Sequence, residues 1–144
     1  MKVEHQVDGK GRIRLNKFVE DSIGSEGKKK IIFFEDHITI LREEDYEDYI
    51  KPYVEAAKNP RLAKIAIANE TIDYSLDNQG RFLIPKEYRK QNMIGNQLLF
   101  FEVDYDGINS IEIYEKSTYE SLMSEYYSPE KKGLKNLTKG NERV

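Results

Sequence analysis

The chain has 144 residues, 38 % hydrophobic and 34 % charged, with a formal net charge of −3, which allows one lean core whose bulk comes largely from ten Tyr and six Phe. It contains no cysteine, which excludes disulfides, thiolate metal sites and cysteine nucleophiles. No apolar run approaches the ~20 residues that cross a bilayer, and MKVEHQVDGKGR lacks the apolar stretch of a secretory leader, so a soluble cytoplasmic protein is expected.

In chain order, residues 3–7 alternate as a short strand. A polar turn, Asp8-Gly-Lys-Gly11, follows, and a second strand spans 12–15. Alternation broken by a glycine-containing turn is the pattern of a β-hairpin. Asn16 is a good N-cap for a short helix that Gly24 ends. IIFF and HITIL read as two further strands, and an acidic helix begins near Glu43. Pro52 and Pro60 are expected to break the helical pattern, and Leu62, Ile65 and Ala66 suggest one more short helix.

The same order then recurs. VEHQVDGKGRIRLNKFVE (3–20) aligns without gaps to IDYSLDNQGRFLIPKEYR (72–89), pairing Asp8 with Asp77, Gly11 with Gly80, Arg12 with Arg81 and Lys17 with Lys86. IIFFE (31–35) matches LLFFE (98–102), Ile38 and Ile40 match Ile111 and Ile113, and Tyr46-Glu47 matches Tyr119-Glu120. The chain is therefore read as a duplicated unit. In the second copy Pro85 suits a first helical turn, Gly95 ends that helix, and Asp106-Gly107 marks a hairpin. Ser117 and Glu120 fit a capping box, and Pro129 marks the stop. The expected organisation is a first repeat over 1–52, a helical connector over 53–70, a second repeat over 71–128 and a flexible basic tail over 129–144.

Charge is segregated along the chain. Residues 8–17 carry Lys10, Arg12, Arg14 and Lys17 against Asp8, whereas residues 35–48 carry seven carboxylates against Arg42. The sign of one face matters for nucleic acid, not the sign of the whole chain.

Asp8-Gly-Lys-Gly-Arg12 and Asp77-Asn-Gln-Gly-Arg81, the second continuing into GRFLIPKEYR, resemble the paired D-x-x-x-R motifs of the MraZ family of transcriptional regulators, within the AbrB/SpoVT group. The likeness covers about residues 3–127. Asn16 stands where that family usually has Pro, and Val19 where Arg is common. The resemblance implies an α+β fold: two tandem β-hairpin–helix–β-hairpin–helix units forming one double-repeat β-barrel with peripheral helices. It further implies a homo-oligomeric ring that binds tandem operator repeats in double-stranded DNA. The implied activity is repression of a division and cell-wall gene cluster, in the cytoplasm at the nucleoid.

The candidate DNA-binding residues are Lys10, Arg12, Arg14, Lys17, Arg81 and Lys86; Asp8, Gly11, Asp77 and Gly80 are read as turn residues. A two-residue spacing puts Arg12 and Arg14 on one side of a strand, and Arg can bond guanine in bidentate fashion. The competing structural role for Arg12 and Arg81 is to pair with the Asp four residues earlier. Lys17 and Lys86 sit at helix starts, where the dipole disfavours a cation, so helix stability does not account for them. Lys28-Lys29-Lys30 reads as a solvated loop. Asp8 and Asp77 each begin a turn, which explains them without catalysis. His5 and His37 lack metal-ligand spacing, and no phosphate-binding loop or dinucleotide fingerprint is present. The chain is thus not expected to be an enzyme, nor to bind a cofactor, metal, membrane or small-molecule substrate. The alternative is an oligomeric protein-interaction module on the same scaffold without specific DNA binding.

Overall fold

The computed structural model describes residues 2–6, 12–88 and 97–127. They form strands β1 (Lys2–Gln6), β2 (Arg12–Arg14), β3 (Lys29–Phe33), β4 (Ile38–Arg42), β5 (Thr71–Asp73), β6 (Arg81–Leu83), β7 (Gln97–Tyr105) and β8 (Ile108–Glu115). The helices are α1 (Asn16–Ile23), α2 (Tyr46–Ala56), α3 (Pro60–Asn69), α4 (Lys86–Tyr88) and α5 (Lys116–Tyr126), with a 3-10 turn over Glu43–Asp45 before α2.

The fold is mixed α+β with two antiparallel sheets, one of six strands in the order β1-β7-β8-β4-β3-β5 and one of two, β2-β6. The repeats are interleaved. β2 pairs with β6 rather than β1, with Arg12 opposite Leu83, Ile13 opposite Phe82 and Arg14 opposite Arg81. β1 pairs with β7 and β5 with β3, so each repeat completes the sheet of the other. The local hairpins expected at 3–15 and 72–84 are therefore not paired as such among the described residues. The reason is apolar burial: Ile13 and Phe82 gain a shared core by meeting each other. The expected barrel is not closed either, because the large sheet ends at β1 and β5 and β2-β6 forms a separate ribbon.

A pseudo-twofold axis organises this exchange. Ile38 faces Ile113 and Ile40 faces Ile111 across β4 and β8, each pair being the mirror of the other in repeat numbering. The two outer ladders depart from that symmetry. Val3 meets Phe100, whereas Ile72 meets Ile31 rather than Phe33, a shift of two residues. An even shift keeps every side chain on its proper face. Lys30, directly opposite Asp73, pairs with it at 2.6 Å and fixes that register.

The large sheet buries both faces. Ile31, Phe33, Ile38, Ile40, Leu98, Phe100, Ile111 and Ile113 pack inward against Ile13 and Phe82 of the ribbon and Phe18, Val19 and Ile23 of α1. On the other face Ile32, Leu41 and Ile50 form a second cluster with Tyr46, Tyr49, Val54 and Ile67 from α2 and α3. Burial on both faces explains why IIFF and ITIL are nearly continuous apolar runs.

Turn chemistry mostly follows the sequence. Gly24 (φ 92°) ends α1 and donates its N–H to the Glu20 carbonyl. Asp106 (φ 58°) and Gly107 (φ 80°) make the tight β7–β8 hairpin, both residues left-handed as a type I′ turn requires. Three local readings are corrected. Pro52 lies inside α2 instead of breaking it, the apolar packing around Ile50 outweighing one lost backbone bond. The break expected at Pro60 is present over 57–59, where Pro60 then opens α3 and Asn59 caps that helix by accepting the Leu62 N–H at 3.1 Å. Asn16 is the first residue of α1, after Leu15. The Ser117–Glu120 box is absent, because α5 starts two residues earlier, with Glu115 at the N-cap, and the Ser117 hydroxyl donates to the Glu115 carboxylate. Gly95, Pro129 and the basic tail lie outside the described residues. No described helix is long and apolar enough to cross a membrane.

Candidate nucleic-acid interface

The sequences Arg12-Ile-Arg-Leu15 and Arg81-Phe-Leu-Ile84 alternate in phase, so one face of each strand is apolar and the other is not. Ile13, Leu15, Phe82 and Ile84 are buried in the main core. The opposite face of the β2-β6 ribbon carries Arg12, Arg14, Arg81 and Leu83. Arg14 and Arg81 are cross-strand partners, as are Arg12 and Leu83. Like charges placed directly opposite one another destabilise a strand pair, so ladder stability does not account for this arrangement.

Both central guanidinium groups are anchored to one turn. The Asp77 Oδ1 accepts the N–H of Gln79 and that of Arg81, each at 2.9 Å, and Oδ2 accepts Arg81 Nε at 3.0 Å. The backbone closes with the Asp77 N–H on the Arg81 carbonyl and the Gly80 N–H on the Asp77 carbonyl. Gly80 supplies the required φ of 76°. Arg14, from the other repeat, donates Nη1 to the Gln79 carbonyl at 3.0 Å. The Arg81 amide, joined by the Gln79 amide and the Arg81 guanidinium, holds the Asp77 carboxyl below its ordinary value against a partial desolvation that opposes it. The structural role considered for Arg81 is thus real, and the described bonds of its guanidinium use Nε alone.

The remaining candidates are distributed as follows. Arg12 is half-buried on the ribbon face. Lys17 and Lys86 are exposed in the first turns of α1 and α4, directly after β2 and β6, so the two repeats place equivalent lysines at equivalent exits. Lys10, Asp8 and Gly11 lie outside the described residues. Sequence reasoning missed Leu83, which is 54 % exposed on the arginine face. Its phase was readable: it alternates with buried Phe82 and Ile84.

The Lys28–Lys30 run is not a solvated loop beyond Lys28. Lys29 is buried with Nζ donating to the Glu26 and Gly27 carbonyls, and Lys30 is tied to Asp73 and Glu43. Among the described residues no group of three or more His, Asp or Glu is gathered as for a metal ion. His37 is stacked between Phe34 and Tyr114 at 4.9 and 5.0 Å, with Nδ1 bonded to Asp36.

No family model matches this chain. No curated protein matches it either.

Proposed function

We propose that this protein is a sequence-specific DNA-binding transcriptional regulator of the MraZ type, a repressor acting at the nucleoid, and that the outer face of the β2-β6 ribbon is its DNA-contacting element. The observation that carries this reading is the juxtaposition of Arg12, Arg14 and Arg81 on one face of a two-stranded antiparallel ribbon. The major groove of B-DNA admits a ribbon of this kind, and arginine is the residue best matched to guanine there. The Asp77 turn orients Arg81 and Arg14 before DNA arrives, which lowers the ordering cost of binding. Leu83 adds an apolar contact suited to a thymine methyl group. Lys17 and Lys86, flanking the ribbon, are suited to phosphates, which position a protein without reading sequence.

One ribbon offers few contacts, so affinity on tandem operator repeats comes from several ribbons held in one homo-oligomeric ring, where each bound copy raises the effective concentration of the next. That also reconciles a chain of net charge −3 with a polyanionic ligand. The test is an electrophoretic shift of the purified protein on DNA upstream of its own gene, across a salt series and beside scrambled DNA of equal length. Preferential binding that weakens as salt rises supports the proposal. Equal weak binding to both DNAs, or none, overturns it and favours a protein-interaction module.

A further inference from the structure

The two closing helices occupy equivalent places but end in different surroundings. In the repeat alignment Tyr46 corresponds to Tyr119, so Ile50 of α2 corresponds to Met123 of α5 and Tyr53 to Tyr126. Ile50 is 1 % exposed, sealed in the second cluster, to which α3 contributes Ile67. Lys64, three residues before Ile67, pairs with Glu47 of α2 at 3.1 Å. Met123 is 36 % exposed, and its neighbours Leu122 and Tyr126 are exposed as well. Where the first repeat has a filled cluster, the second has an open groove of about 470 Å³ whose walls include Phe101, Tyr114, Tyr119, Leu122, Met123 and Tyr126.

The groove is also acidic. Glu102 and Glu112 line it, no lysine or arginine does among the described residues, and Glu120 occupies the repeat position of Glu47. Glu112 accepts the Tyr114 hydroxyl at 2.7 Å.

We propose that this groove is a docking site for a basic amphipathic helix of another protein, one that presents a branched aliphatic side chain with a lysine one turn before it. The first repeat supplies the template, since α3 meets α2 through Ile67 and Lys64 in that spacing. Charge complementarity supports the same occupant: lysine enters beside Glu102, Glu112 and Glu120, while the aliphatic group takes the place that Ile67 takes beside Ile50. A second copy of this chain does not offer that pattern, because its own α3 spends Ile67 and Lys64 on its own α2. The site lies on the outer face of the six-stranded sheet, apart from the ribbon, and the inference does not depend on DNA binding.

The chain reports on the groove directly, having only three methionines, Met1, Met93 and Met123. The full-length protein is labelled at the methionine methyl groups, the Met123 signal being identified by its loss in Met123→Leu. It is titrated with an acetylated peptide of residues 58–70, KNPRLAKIAIANE, as the probe. The expected result is a saturable shift of the Met123 signal. The shift is lost with a peptide carrying Ile67→Glu and weakened roughly tenfold or more by Lys64→Glu in the peptide or by Glu102→Gln with Glu112→Gln in the protein. Met123→Glu, at an exposed position that tolerates a charge in the fold, abolishes binding while the thermal melt is retained. No saturable shift, or a shift indifferent to Ile67→Glu, overturns the proposal. So does sedimentation showing that Met123→Glu dissociates an oligomer of the chain, which would make the groove an interface between copies. Operator binding by the Glu102→Gln, Glu112→Gln protein stays unchanged, so the outcome is separable from that of the DNA test.

Discussion

Ile13 and Phe82 face each other across the β2-β6 ladder, and they are the same position of the two repeats. The pseudo-twofold axis runs through this pair. Both side chains are buried, so the contact that joins the repeats also turns Arg12, Arg14 and Arg81 outward.

Phe82→Ala removes one half of that contact and leaves a cavity beneath the ribbon. The cost expected for truncating a buried phenylalanine is about 3–5 kcal/mol. Urea unfolding followed by circular dichroism measures it, and a loss under about 1 kcal/mol would mean the ribbon is not seated as described.

Arg14→Ala and Arg81→Ala should each weaken operator binding by about 1–3 kcal/mol if they read bases, with discrimination against altered guanine positions reduced. Lys17→Ala and Lys86→Ala should instead weaken all DNAs alike and lower the salt slope by about 0.9 for each phosphate no longer neutralised. Binding isotherms at several salt concentrations separate the two patterns. Uniform losses for all four substitutions would remove base reading from the arginines.

Asp77 gives the turn a pH dependence whose sign follows from its bonds. Its folded carboxyl is held low by the Arg81 amide first, so its contribution is present above the unfolded value of about 3.9 and is lost as pH falls through the folded one. Asp73 is lowered in the same direction by its hydrogen bond from Lys30. Thermal melts across the acid range should show the native chain losing stability as pH falls below about 4. Asp77→Asn should be less stable at neutral pH and flatter in that window. An unchanged acid limb would show that the turn bonds do not persist in solution.

Gly107→Ala tests the β7–β8 turn. Nothing lies within 4 Å of an added Cβ, so the whole effect is backbone strain at φ 80°. The expected cost is about 1–2 kcal/mol, from the general penalty for a left-handed non-glycine residue. Chemical denaturation of the two proteins side by side measures it.

Pro52→Ala should raise stability. Proline in a helix interior costs about 3 kcal/mol relative to alanine, offset by about 0.4–1 kcal/mol through the freer unfolded chain, which leaves a gain of about 2 kcal/mol. A loss on calorimetry would mean that the proline ring itself packs.

Much of this was legible from residue order. The duplication, the strands around IIFF, ITIL and their second copies, the Gly24 stop and the Asp106-Gly107 hairpin rest on local periodicity and on backbone conformations open to few residues. The side of the strand taken by Arg12 and Arg14 follows from alternation alone. What the sequence could not show was pairing between distant segments. A short alternating strand fits either its neighbour or its repeat counterpart, and the choice of β2 with β6 was made by the core that Ile13 and Phe82 share. Only that choice brings Arg81 opposite Arg14. The open groove beside Met123 was equally invisible, because α2 and α5 are alike in pattern and differ in whether a third helix comes back to cover them. Local physics determined the elements of this protein and their faces; the burial of apolar surface between distant segments decided which faces meet and which stay open.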